Sequence, residues 1–110
     1  MIYLDYAASA PPYPQVAERM YQVMVESFSN PGAIHGAGSQ ARRILQESRR
    51  TLARLLNVRE QEVFFTSGGT EADNWAIRGA AMRMREKKGR NHIITSKIEH
   101  PAVLRTCEAL

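Results

Sequence analysis

Glu62-Val63-Phe64-Phe65-Thr66-Ser67-Gly68-Gly69-Thr70-Glu71 is the stretch on which the fold turns. Its first half is β-branched and aromatic, the composition of a buried strand, and it breaks at Ser67-Gly68-Gly69 in a glycine turn. A helix is expected from about Thr70 to Lys87, stopped by Gly89 just past its end. His92-Ile93-Ile94-Thr95-Ser96 repeats the strand pattern, and Pro101 opens another helix, with Val103, Leu104 and Cys107, that is still running at Leu110. Strand, helix, strand, helix makes two parallel strands joined by a right-handed crossover.

Upstream, Met1 to Leu4 reads as a short extended segment, and Ala10-Pro11-Pro12-Tyr13-Pro14 as a loop that continues neither ladder nor helix. Val16, Met20, Met24 and Phe28 recur at four-residue spacing, which predicts a helix from about Pro14 to Phe28. Ser29-Asn30-Pro31-Gly32, with Gly36 and Gly38, ends it in a flexible, irregular loop. Ser39 is then the expected cap of a second helix running to Leu56 and stopping at Asn57. On that helix Ala41, Ile44, Leu45, Leu52, Leu55 and Leu56 share an arc of roughly 120° and arginines fill the rest, the pattern of a solvated face.

Parallel sheets are covered on both faces and have more than two strands. The helix expected over 70–87 agrees, because Trp75, Gly79 and Met82 form one apolar stripe and Ile77, Ala80, Ala81 and Met84 another nearly opposite. The fold expected is therefore α/β with an incomplete sheet, the N-terminal piece of a larger protein. The chain is then one partial domain over 1–110, with helices to about residue 60 and the start of the α/β part from about 61.

The 110 residues are 44% hydrophobic and 24% charged with a formal charge of +4, a globular composition that argues against disorder, collagen and coiled coil. A chain of this length buries roughly two thirds of its unfolded surface if its elements close on themselves. No apolar run is long enough for a membrane span and the N-terminus lacks a signal-peptide pattern. With Cys107 as the one cysteine, these features point to the cytoplasm. Nucleic-acid binding is disfavoured despite the arginine clusters, since no aromatic residues are interleaved to stack on bases.

The turn Ser67-Gly68-Gly69-Thr70 bares N–H groups and the positive end of a helix, with hydroxyl donors on Ser67 and Thr70, and so suits an anion such as phosphate. Neither GxxxxGK[ST] nor GxGxxG is present. Past the second strand, Ser96-Lys97-Ile98-Glu99-His100-Pro101 faces the same crevice, within reach of a ligand held by the turn or serving only as a cap. His35 reads as surface and Cys107 as a buried, inert thiol. The histidines and cysteine show no metal-ligand spacing.

Tyr3-Leu4-Asp5-Tyr6-Ala7-Ala8, Asn30-Pro31 with His35, Phe65 to Asn74, and Ile93 to Leu104 together resemble the N-terminal quarter to third of cysteine desulfurases. The resemblance implies a pyridoxal 5′-phosphate enzyme of the class V aminotransferase group, of fold type I and homodimeric. Such enzymes convert L-cysteine to L-alanine and pass the sulfur, as an enzyme persulfide, to a scaffold or acceptor for iron–sulfur clusters or thio-modification. By match to the motif, Gly69 and Thr70 hold the cofactor phosphate, His100 stacks on the ring and joins in proton transfer, and Ala7, Ala8 and Asn30 lie at the active-site mouth. Ser9-Ala10-Pro11 departs from the family's threonines. Lys87, Lys88 and Lys97 do not match the Schiff-base lysine, nor Cys107 the persulfide cysteine, so the chain by itself is expected to be inactive. A selenocysteine lyase or other class V enzyme, and a non-catalytic interaction module, are the alternatives.

Overall fold

A computed structural model of the chain describes residues 2–110. Its helices are α1 (Pro14–Glu26), α2 (Gly36–Leu56), α3 (Gly69–Lys88) and α4 (Pro101–Glu108), with a 3₁₀ turn at Glu60–Glu62. They fall into two compact units, one ending at Val63 and the other Phe64–Leu110. None of the helices is long and apolar enough to cross a membrane. The expectation for Met1 lies outside the described residues.

In the first unit Asp5 closes a turn by accepting the N–H groups of Ala8 and Ser9, and the Tyr3 hydroxyl straps it by donating to the Ser9 carbonyl at 2.8 Å. Ala7 and Ala8 sit in this turn. α1 starts on Pro14, whose missing N–H costs nothing in a first helical turn, and ends at Glu26, two residues before Phe28. Its Val16, Met20 and Met24 stripe is exposed. α2 begins three residues before the expected cap Ser39. The reason is His35, whose Nδ1 accepts the Gly38 N–H at 3.3 Å and does the work expected of the serine. The helix ends as expected at Asn57, in the left-handed region with φ 54°.

The segment between α1 and α2 was expected to be a flexible loop, but Arg42 ties it by donating to the Pro31 and Ala33 carbonyls at 2.8 and 2.9 Å. On the arginine face of α2, Arg43, Arg50 and Arg54 are exposed, as expected of a solvated face, while Arg42 and Arg49 are half-buried. Arg49 Nε reaches the Val63 carbonyl at 3.2 Å and Arg50 pairs with Glu60 at 3.0 Å.

The second unit packs α3 against α4. α3 spans 69–88 and Gly89 closes it at φ 62°. On one side of α3 the Trp75 ring meets Phe64 at 4.9 Å. The other stripe, Ile77, Ala80, Ala81 and Met84, lines an open pocket of about 520 Å³ together with Ile93, Cys107 and Leu110 and the polar Arg85, Arg90, Asn91 and His92. Cys107 is half-buried rather than buried, and α4 stops at Glu108 rather than continuing through Leu110.

No strand forms among the described residues, so the parallel pair expected over 62–66 and 92–96 is not made. The backbone of Val63 is already engaged, its N–H by the Glu60 carbonyl and its C=O by Arg49. A lone two-stranded parallel pair would also be marginal. The closed core is likewise missing. Among the described residues only Ala41, Ala53, Ala102 and the polar Thr106 join Gly38 in burial, and no large apolar side chain does.

Candidate functional site

The start of α3 is built by its own side chains. Gly68 is the cap residue and offers no side chain, so the turn is closed one residue earlier: Glu71 Oε2 accepts both the backbone N–H and the hydroxyl of Ser67 at 2.7 Å. The Thr66 hydroxyl donates to the Gly68 carbonyl at 3.2 Å. Those bonds, the Ser67 hydroxyl first and its N–H second, hold the Glu71 carboxyl below its ordinary pKa. They also remove Ser67 from the donors expected to face an anion.

What remains open is the end of the helix itself. The first intrahelical bond runs from Ala72 N–H to the Gly68 carbonyl, leaving the N–H groups of Gly69, Thr70 and Glu71 without intrahelical acceptors. A Cβ built on Gly68 or Gly69 would meet nothing within 4 Å, so the turn is not filled by the chain. Open N–H groups at the positive end of a helix, here one of 20 residues, favour negative charge.

α4 supplies the opposite wall. Pro101 sets its first turn, and His100 caps it, with Nδ1 accepting the Ala102 N–H at 3.1 Å. Thr70, Asn74 and Arg78 of α3 and His100, Arg105 and Thr106 at α4 line one groove of about 370 Å³. The structure thus brings Thr70 and His100 together, with Gly69 beside Thr70. Asn74 bonds the Thr70 carbonyl at 2.9 Å and Arg78 bonds Asn74 at 3.3 Å. Arg105 is paired with Glu108 at 2.8 Å.

Asn74, Arg78 and Arg105 escaped the sequence reading. The signal was present for two of them, since Thr70, Asn74 and Arg78 follow at i, i+4, i+8 on one helical face. Ala7, Ala8, Asn30 and His35 belong to the first unit. There Asn30 Oδ1 accepts the Gly32 N–H at 2.8 Å, and His35 is a cap. Among the described residues no group of His, Cys, Asp and Glu side chains could hold a metal ion.

The start of α3 thus leaves three backbone N–H groups open, and His100 at the start of the following helix lines the same groove as Thr70. The chain belongs to the aminotransferase class-V family, whose sequence profile matches residues 2–110. It is 51% identical over 109 residues to the putative cysteine desulfurase IscS 1 of Bacillus subtilis, covering 99% of this chain and 28% of that protein. To the cysteine desulfurase IscS of Clostridium botulinum (strain Hall) it is 43% identical, covering 99% and 27%. Among solved structures it superposes on a NifS-like protein with a TM-score of 0.81 at 35% identity, covering 93% of this chain and 27% of that one. A structure described as SspA in complex with cysteine gives 0.83 at 38% identity, covering 97% and 30%. The chain therefore spans little more than a quarter of the curated relatives it matches. The motif segments pointed to this same family.

Proposed function

We propose that this chain is the N-terminal, cofactor-phosphate part of a cysteine desulfurase. The observation that carries the reading is the shared groove, in which Thr70, beside the open N–H groups of Gly69 and Thr70 at the start of α3, faces His100. These residues fit pyridoxal 5′-phosphate: the open N–H groups and the Thr70 hydroxyl would hold its phosphate, and His100 would contact the rest of the cofactor. When bound, the cofactor supplies the electron sink for chemistry at the amino acid's α-carbon. The chain's own residues bind and orient it. His100 is held by its Nδ1 at the helix start, which fixes the ring and leaves Nε2 as the atom able to hold or move a proton.

The substrate is L-cysteine, as in the relatives named cysteine desulfurases and the neighbour described with cysteine. In the reaction an enzyme thiol takes the substrate sulfur as a persulfide, the substrate Cβ–S bond breaks, and L-alanine leaves. The Schiff-base lysine, the acid that pairs with the ring nitrogen and the persulfide cysteine lie outside these 110 residues, Ala7, Ala8 and Asn30 belong to the active-site mouth, and the complete protein is a cytoplasmic homodimer that hands sulfur to an acceptor.

Cysteine turnover by the complete protein carrying this sequence tests the proposal. Alanine and sulfide in equal amounts under reductant are expected, with Thr70→Val weakening the affinity for pyridoxal 5′-phosphate and not for pyridoxal. No alanine, or equal weakening for both cofactor forms, would overturn it. Faster turnover of selenocysteine would move the assignment to a selenocysteine lyase.

A further inference from the structure

We propose that Arg42 is a positioning residue that fixes the Asn30–His35 loop and, through it, the free end of the Asn30 amide. The inference rests on the reading above, in which Asn30 belongs to the active-site mouth. Arg42 is half-buried on α2, and its Nε and Nη2 donate to the Pro31 and Ala33 carbonyls at 2.8 and 2.9 Å. Two donors from one rigid plane set the relative positions of two carbonyls, which a single ammonium does not.

The loop is gripped from its other side by Gly38. That residue is buried, and a Cβ there would stand 2.6 Å from the Ala33 oxygen and 2.9 Å from the Asn30 oxygen. The Ala33 carbonyl is thus held between a guanidinium and a helix backbone. Within the loop the Ala33 N–H bonds the Asn30 carbonyl at 3.0 Å, and the Gly32 N–H bonds Asn30 Oδ1 at 2.8 Å. With its oxygen engaged, Asn30 presents its NH₂ group, which has no acceptor among the described residues. The Gly32 N–H that orients this group belongs to the same peptide unit as the Pro31 carbonyl held by Arg42, and the Asn30 carbonyl lies against Gly38.

The test uses the complete protein with Arg42→Met, which keeps the stem, Arg42→Lys, which keeps the charge but one donor site, and Gly38→Ala. Amide exchange of Gly32 and Ala33 should rise about tenfold or more in each, with the second half of α2 unchanged. In Arg42→Met, kcat/KM for cysteine should fall by about tenfold at wild-type cofactor absorbance and Tm, with no rescue in Arg42→Lys. Unchanged loop exchange in Arg42→Met and Gly38→Ala would overturn the clamp. Faster exchange with wild-type kcat/KM, or full rescue by lysine, would overturn positioning. Should the wild-type protein leave cysteine untouched, the functional reading fails, while the exchange data still decide whether Arg42 holds the loop.

Discussion

Replacing His100 by alanine and, separately, by asparagine divides its two roles. The Nδ1 atom accepts the Ala102 N–H at 3.1 Å, so the ring is the N-terminal cap of α4. α4 has eight residues, too few to persist as an isolated helix, and its local stability depends on its cap and its packing on α3. Loss of a side-chain cap costs about 1 kcal/mol, about fivefold in a local opening equilibrium. His100→Ala should therefore speed amide exchange over residues 103–107 about fivefold. Asparagine offers a side-chain oxygen to the same N–H, so His100→Asn should stay within about twofold of the wild type. Both variants remove the ring, and both should abolish turnover in the complete protein. Equal exchange in the two variants would refute the cap. Wild-type turnover in the asparagine variant would refute the ring's part in the chemistry.

Glu71 and Glu62 are both held below the ordinary carboxylate pKa, Glu71 by the Ser67 hydroxyl and N–H and Glu62 by the Arg59 side chain and N–H. Folding is favoured by their charged forms, so that stability is fully present above the ordinary value of 4.5 and is lost as pH falls through the lowered ones. Glu71→Gln should lower stability at neutral pH, where the charged carboxylate contributes, and converge with the wild type as pH falls through the lowered value, flattening the acid limb; an unaltered acid limb would contradict the Ser67 bonds. Gly89→Ala forces a side chain onto φ 62° and should lower stability by about 1 kcal/mol in denaturant titration, although no atom obstructs its Cβ. Gly79→Ala, in mid-helix with equally open surroundings, should raise it by about 0.5–1 kcal/mol in the chain by itself.

Much of the helical frame was legible. Pro14, Pro101, Asn57 and Gly89 mark helix ends through local backbone chemistry, which needs no tertiary information. The start of α2 was misplaced because a ring nitrogen of His35 replaced the serine oxygen that capping rules favour. The strand over 62–66 had the right composition, but a strand exists only through a partner's backbone, and here the Val63 groups bond to Glu60 and Arg49. Arg42 read as solvated because its charge and its place on the polar arc are all that periodicity sees. Its two carbonyl partners lie 11 and 9 residues away along the chain and become visible only when the loop folds back. That Thr70 and His100 line one groove was foreshadowed by the order of turn and helix starts along the chain. The withdrawal of Ser67 was not, since it depends on which of two acceptors, a ligand or Glu71, its hydroxyl meets first.

That Ser67–Glu71 closure bears on how fast a ligand is captured. On the proposed reading, a phosphate arriving at α3 would meet a turn already set by two bonds to one carboxylate oxygen, so no loop would need to condense around it afterwards. Association should then be a single bimolecular event, its observed rate climbing in proportion to ligand concentration with no plateau from a slower rearrangement. Freeing the turn by replacing Glu71 would introduce that plateau, and the chain would trade a rigid receptor for one that gathers its ligand in two stages.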